Sequence, residues 1–396
     1  MASIAGLRGT GDWETDERPK NFRETILWRQ PNGQTPLTAL LSKMSEESTS
    51  DPEYSNWEEQ LDTVVVIETT GLASASGSTT LTASGGGLYN LVAGDLLLVD
   101  KTETSAYDNE ILLVTAVASD TSATVVRAAQ GSTNAAIAAT TKLTKFSNIF
   151  AEGAGAPTAS TRNPTKIYNY CQIFKTIYDI TETAKRTKTR TGDPLKNDKK
   201  RKMFDHSLAL EWAFLFGRRH EGTGSNGKPI RSTGGLRQFL TSVAKVYSTT
   251  PTASDFIDTV SPVFNYSTGA GEERMVLCGN GFLNSLNKLV LAQGATRMNY
   301  DGIIKVWGMT LQRWIMPQGV LYFKTHPLFN THTRYNNSAF IIDPTALRYR
   351  YMRDTFFKDN IQANDEDREK GMWLTEAGLE VRHEKTMAYV GNFVVP

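Results

Sequence analysis

Apolar and polar positions change their period several times along the chain, and each change marks a predicted element. The clearest is a helix opened by Asp193-Pro194. An Asp side chain accepts orphan backbone N–H groups, Pro at the first helical position loses nothing, and Gly217 closes the run. At about 1.5 Å per residue this helix is roughly 35 Å long. Its first half is polar and basic (Lys196, Lys199, Lys200, Arg201, Lys202), and its second half is apolar (Phe204, Leu208, Leu210, Trp212, Phe214, Leu215, Phe216). One end is therefore expected to be buried and the other not. Downstream, Phe256, Val260, Val263 and Phe264 repeat at helical spacing, limited by Pro262. A strand from Met275 to Cys278 leads into a helix carrying Phe282, Leu283, Leu286, Leu289 and Val290. Strands at 303–307, 310–315, 320–324 and 339–342 and a return segment at 347–395 complete a mixed α+β body.

A different pattern interrupts this body. Between Thr69 and Thr141 the only cations are Lys101 and Arg127, against Asp95, Asp100, Glu103, Asp108, Glu110 and Asp120, and Ser, Thr, Ala and Gly fill the remainder between short apolar runs. Strands are expected at 79–83, 95–100, 110–117, 123–127 and 142–146, divided by Gly85-Gly86-Gly87, Gly94, Asp120-Thr121 and Gly131. Short strands with regular turn punctuation predict a small barrel or sandwich, inserted between the arm and the body. A second Gly-rich boundary at 152–164 returns the chain to Ile167, Tyr170, Ile173 and Phe174.

Residues 1–62 are rich in polar and charged positions and carry Pro19, Pro31, Pro36 and Pro52. One amphipathic patch, Leu37, Leu40, Leu41 and Met44, has helical spacing. With Phe22, Ile26, Leu27, Trp28, Tyr54 and Trp57, this arm holds more anchors than a plain linker, so it is expected to dock on some other surface, a tail folded on its own body being the alternative.

Composition narrows the function. With 396 residues, 39% hydrophobic and 21% charged, the chain is globular, and its net charge of +1 excludes binding of duplex DNA through a global basic field. A local concentration does exist. Thr181 to His220 holds eleven Lys and Arg against five acids, a stretch that faces either a polyanion, a neighbour or solvent. Cys171 and Cys278 are too few and too far apart for a disulfide framework or a cysteine metal site, and reduced core thiols are expected. The first residues contain no signal-peptide core, and no run of about 18 apolar residues occurs, so neither secretion nor membrane spanning is expected.

Candidate chemistry is sparse. Gly222 to Pro229 reads GTGSNGKP, close to a phosphate-binding loop, but it follows a helix instead of a strand, and Pro229 stands where a magnesium-binding hydroxyl belongs. A connecting loop is expected there. His206, His220, His326, His332 and His383 fall at no metal-ligand spacing, and His326 and His332 read as loop residues near Pro327. The run Asp365, Glu366, Asp367, Glu369 is interleaved with Arg368 and Lys370 and reads as a solvated loop. Neither a catalytic set, a metal site nor a cofactor is expected.

The order of several segments carries a resemblance. RPKNFRETILW, PLTALLSKM and DPEYSNWEEQL precede the insert, which contains GDLLLVDKTETSAYDNEILLVTAV and TVVRAAQGST. After it come NYCQIFKTIYDITETAKR, LALEWAFLFGRRHE, STGGLRQFL, RYRYMRDTFF and LTEAGLEVRHEKTMAYVGNF. In this order they resemble the major head proteins of tailed bacteriophages, over nearly the whole chain. The resemblance implies the Hong Kong 97 type of capsid fold. It assigns residues 1–62 to an N-terminal arm, 63–157 to an extended loop (E-loop) with a small β domain inserted, 158–250 and 346–396 to a peripheral domain with a spine helix and return strands, and 251–345 to an axial domain. It further implies self-assembly through pentamers and hexamers into an icosahedral virion shell in the host cytoplasm, with double-stranded DNA on the inner face and portal and decoration proteins as further partners. No long helical scaffolding pattern precedes the arm, which leaves a separate scaffold protein as one option. Inter-subunit contacts are expected at Phe22, Ile26, Trp28, Leu37, Leu40, Trp57, Tyr89 and Tyr107. DNA-facing or neighbour-facing cations are expected at Lys196, Lys199, Lys200, Arg201 and Lys202.

Physics supports a shell subunit without the resemblance. Projecting elements reach several neighbours, head-to-tail contacts close into rings, and many weak contacts let errors dissolve while a complete shell persists. The alternatives are a cellular nanocompartment shell, a nucleotide-binding enzyme using Gly222 to Lys228, and a glycan-binding protein using the β insert. The last has only Tyr89 and Tyr107 as aromatic platforms.

Overall fold

The computed structural model of the chain describes residues 35–41, 46–59, 65–72, 79–83, 87–100, 109–159, 163–189, 191–266, 269, 271–292, 300–306 and 309–396. The chain divides into two compact units, Trp57–Lys166 and a larger one made of Met1–Asn56 with Ile167–Pro396. The described arm holds helix α1 (Pro36–Leu41) and strands β1 (Glu46–Ser48) and β2 (Glu53–Glu58).

The inserted unit is all β. Its strands are β3 (Val65–Ile67), β4 (Thr80–Thr82), β5 (Asp95–Val99), β6 (Ile111–Ser119), β7 (Ser122–Val126) and β8 (Lys142–Asn148), in the order β3-β8-β5-β6-β7-β4 with antiparallel neighbours. A single bridge between Glu68 and Ala83, backed by Thr69 N–H donating to Thr82 O at 2.9 Å, links the two outer strands. Of the two shapes predicted, the barrel is the one formed, because this bridge covers edges that a flat sheet would leave unpaired. Alternate residues fill the interior, among them Leu97, Val99, Leu112, Val114, Val125 and Leu143. Five strands fall where the sequence rhythm put them, and β3 was not foreseen. Gly94 adopts a φ of 101°, and a Cβ there would collide with the Phe150 ring, so glycine is required at that turn.

In the larger unit β9 (Thr165–Tyr170) pairs with β2, at the place where the chain leaves and re-enters the body. Next come β10 (Gln172–Thr181), α2 (Glu182–Arg186) and α3 (Pro194–Phe216). The start of α3 follows the sequence expectation: Asp193 Oδ1 accepts from Leu195 N–H at 3.0 Å and Lys196 N–H at 3.4 Å. The helix ends at Gly217, whose backbone turns extended, and only glycine fits there because a Cβ would strike the carbonyls of Ala213 and Thr233. Its buried face is the i, i+4, i+8 row His206, Leu210 and Phe214, with Glu211 and Leu215 beside it.

Strands β11 (His220–Thr223) and β12 (Pro229–Ser232) form a hairpin, followed by α4 (Leu236–Phe239), β13 (Ala244–Val246), α5 (Ala253–Val260), β14 (Glu273–Cys278) and α6 (Asn280–Ala292). Strands β15 (Tyr300–Val306), β16 (Met309–Met316) and β17 (Gly319–Thr325) lead to α7 (Pro327–Asn330), β18 (Ala339–Ile342), β19 (Leu347–Lys358), β20 (Arg368–Val381) and β21 (Ala388–Gly391). Thr252 and Asp255 cap α5 reciprocally, and Pro262 ends its pattern as expected.

Two sheets organise these elements. A four-stranded sheet, β1-β19-β20-β10, carries α3 on one face. A seven-stranded sheet, β13-β21-β18-β14-β17-β16-β15, is covered on both faces along its central strands. Along β14, Met275 and Leu277 enter the core shared with α3, whereas Val276 and Cys278 enter a second core with Phe256, Phe282 and Phe393. Period-two alternation thus serves two cores, which is why β14 and β18 read as continuous apolar runs. The result is an α+β architecture.

Candidate assembly surfaces

The sequence predicted that the arm would dock away from its body, with Leu37 and Leu40 as contacts to other copies. For the described helix α1 the structure corrects this in favour of the alternative, a tail folded on its own body. Both residues, with Leu41, are fully buried in the chain's own core beside Phe214 and Leu215. Polar contacts fix the same helix: the Glu211 carboxylate of α3 accepts from Leu37 N–H and Thr38 N–H, each at 2.8 Å, supplying the acceptors that the first turn of α1 lacks. His326 is the loop residue before Pro327 that the sequence suggested, and the structure adds its burial. It is a fully buried residue whose Nε2 lies 2.8 Å from Glu211 Oε1 and whose ring stacks on Phe329. The one signal for this centre was a lone acid in the apolar stretch LALEWAFLF.

Further along the arm, β1 runs parallel to β19, with Glu47 bound to Arg350 at 2.6 Å and Arg348 at 3.2 Å. The hydrogen bond from Arg350 is the main reason that the Glu47 carboxyl lies below its ordinary value. Beyond it Trp57 stands 63% exposed, and Tyr89 of the inserted unit is half-buried. Phe22, Ile26, Trp28 and Tyr107 lie outside the described residues. Val126, Phe146, Ile149 and Phe150 of the inserted unit are exposed apolar side chains.

The basic half of α3 is not a uniform cationic face. Lys199 was expected to face DNA or a neighbour, but its Nζ bonds Asp359 at 3.4 Å and Glu369 at 3.3 Å and lies over the Tyr178 and Phe357 rings. Ion pairing and ring contact inside the chain occupy it. The Glu369 carboxyl is lowered chiefly by its hydrogen bond from Lys185, at 2.6 Å, and then by Lys199. Buried Glu369 therefore belongs to this network and not to the solvated loop expected of its run. Lys196, Arg201 and Lys202 each sit near an acid of the same helix turn, Asp193 at 3.9 Å, Asp198 at 3.4 Å and Asp205 at 3.3 Å. Such exposed pairs remain available to an external anion at little cost. Lys200 is exposed.

The glycine-rich stretch Gly222 to Pro229 is the turn of the β11–β12 hairpin, with Gly224 N–H donating to Lys228 O at 2.8 Å. It is more ordered than the loop expected, and no helix follows it to aim amides at a phosphate. His206 is buried between two hydroxyls, Thr176 Oγ1 at 3.0 Å and Thr375 Oγ1 at 2.7 Å, and burial lowers its pKa. Burial likewise pushes the Cys171 thiol up to about 12. Among the described residues no group of three potential metal ligands comes together, and no helix is long and apolar enough to cross a membrane.

A long helix laid across a four-stranded sheet, a second sheet whose central strands are covered on both faces and a β unit inserted ahead of the helix make up an α+β subunit. The chain belongs to the SU10 major capsid protein family, whose model matches residues 8–393. It is thus a phage major capsid protein, a component of the virion that builds its icosahedral shell with copies of itself, and the family is a structural one. A relative, the major capsid protein of Pseudomonas phage PaMx41, is 26% identical over 361 residues, covering 89% of this chain and 83% of that protein. Among solved structures, one from Mycobacterium phage Bobi is similar at a TM-score of 0.48 and 9% identity, covering 94% of this chain and 95% of that one. The capsid of Myoviridae phage XM1 is similar at a TM-score of 0.43 and 10% identity, covering 94% and 96%.

Proposed function

We propose that this subunit closes into pentamers and hexamers that complete a shell around double-stranded DNA in the host cytoplasm. In this reading the arm is residues 1–62, the E-loop with its inserted β unit is 63–157, the peripheral domain is 158–250 with 346–396, and the axial domain is 251–345. The observation that carries it is apolar surface left over after each unit has closed its own core. Trp57, Phe146, Ile149 and Phe150 remain exposed although the barrel interior is full. Leftover apolar surface of this kind suits burial against copies of the chain. The segment before Thr35 and the inserted unit then clamp neighbours, with Phe22, Ile26, Trp28, Trp57, Tyr89 and Tyr107 as contacts. Lys196, Lys200, Arg201 and Lys202 are the cations offered to DNA or to a neighbour. The subunit itself performs no catalysis, and scaffold, portal and decoration proteins complete the particle.

Negative-stain microscopy of the expressed full chain tests this. Closed shells or isolated five- and six-membered rings are expected. A folded chain that stays monomeric at high concentration would overturn it.

A further inference from the structure

A groove of about 840 Å³ opens at the C-terminal end of α3. Phe216, Tyr335 and Tyr389 give it aromatic walls, and Arg218, Arg237 and Arg334 line it as well. No carboxylate lines it among the described residues. Arg237 lies 4.3 Å from the centre of the Tyr389 ring and donates to the Leu240 carbonyl at 3.4 Å, while Arg218 and Arg334 meet no carboxylate at ion-pair distance among the described residues. Three guanidinium groups around one aromatic-walled space suit an anionic ligand that also carries an apolar ring.

The chain holds such a segment. Asp12-Trp13-Glu14-Thr15-Asp16-Glu17 places four carboxylates and one indole in six positions without a cation. It lies in the part of the arm that precedes the described residues, and the described chain begins at α1, about two helical turns of α3 from the groove. The first turn of α1 is held at Glu211, and Phe216 to Arg218 follow on the same helix and its cap, about 7–11 Å further along the axis. The residues between Glu17 and Thr35 can span up to roughly 60 Å when extended. So short a tether keeps the segment at an effective concentration of order millimolar over the groove.

We propose that in the unassembled subunit Asp12 to Glu17 of the same chain lies in this groove, Trp13 against the aromatic walls and its carboxylates on the three arginines. The docking stands on the groove and the tether. Its consequence rests on the shell reading: a docked arm is withheld from neighbouring copies until their contacts outcompete the groove.

The test uses the full chain, unassembled, as an equal mixture of unlabelled and nitrogen-15-labelled protein. Arg218→Lys and Arg334→Lys keep the charge and supply amines, which a carbodiimide joins to nearby carboxylates as amides, itself taking up the water as its urea. The expected result is coupling of position 218 or 334 to the peptide containing Asp12 to Glu17, within one isotope only. Asp12→Asn with Glu14→Gln, Asp16→Asn and Glu17→Gln should abolish it, as should high salt. Mixed-isotope coupling would assign the groove to a second copy. Coupling that emerges only after nuclease digestion would assign it to nucleic acid, and no coupling to this segment would remove its ligand altogether. Each of these three overturns the proposal. Failure of the chain to form shells would sink the capsid reading and leave the coupling untouched.

Discussion

Glu211 Oε1 and His326 Nε2 meet at 2.8 Å in a core from which both side chains are wholly removed from solvent. The same carboxylate holds the first amides of α1, so a single acid in the middle of α3 joins the arm, the helix and the turn before α7. Replacing one member leaves the others buried without their partner. Glu211→Ala is expected to cost about 3–5 kcal/mol of unfolding free energy in urea titration. Glu211→Gln, which keeps an acceptor, should cost less.

Truncation separates two parts of the arm. Removing residues 1–34 leaves α1 in its core and should give a folded subunit that forms no shells under the microscope. Removing 1–60 also strips Leu37, Leu40 and Leu41 from that core. The expected loss exceeds the roughly 2–5 kcal/mol of a single buried Leu→Ala change, and thermal unfolding monitored by circular dichroism would show it. Shells of normal size from the shorter truncation would refute the clamp.

His206 makes stability depend on pH. Burial lowers its pKa from the ordinary 6.5, so below 6.5 the unfolded chain binds more protons at this residue than the folded one does. Its contribution is complete above 6.5 and is lost as pH falls towards the lowered folded value. His206→Gln, which cannot titrate, should flatten the decline of the urea midpoint in that window. An unchanged slope would contradict the assignment.

Inside the barrel, Glu110 and Arg127 form a buried pair with contacts of 2.6 and 2.7 Å, and Glu110 also accepts from the amides of Ala128 and Ala135 at 3.1 Å each. Arg127→Met alone should destabilise by about 3–5 kcal/mol, because it strands a carboxylate. Combined with Glu110→Gln, the loss should be smaller than the sum of the two single changes. A double-mutant cycle in urea gives the coupling, and strict additivity would count against it.

Lys199 and Lys196 lie less than one turn apart on α3 yet differ in role. Lys199→Met removes two ion pairs while keeping a stem over the rings, and about 1 kcal/mol should go with it. Lys196→Met should stay within roughly 0.5 kcal/mol. Equal effects on the thermal midpoint would erase the distinction.

Legibility in the sequence followed the range of the interactions. The ends of α3 and five barrel strands depend on neighbours a few residues away, which Asp193-Pro194, Gly217 and the glycine punctuation advertise. Leu37 and Glu211 are 174 positions apart, His326 and Glu211 115, and Lys199 and Asp359 160. No local pattern could say that two leucines marked for another copy would fill this chain's own core, or that a loop histidine would be buried. The hairpin at Gly222 to Pro229 escaped for another reason, since the strands HEGT and PIRS are short and carry almost no apolar alternation.

Because β14 sends successive residues to opposite cores, the seven-stranded sheet behaves mechanically as a stiff plate: bending it would open one packed layer while crushing the other. Were a shell of such subunits loaded from within, strain would collect where a strand is covered on one side only, as along β10, whose Ile173 and Ile177 are exposed. The elastic compliance of the particle wall would reside in that edge, leaving the plate to keep its curvature as the load rises.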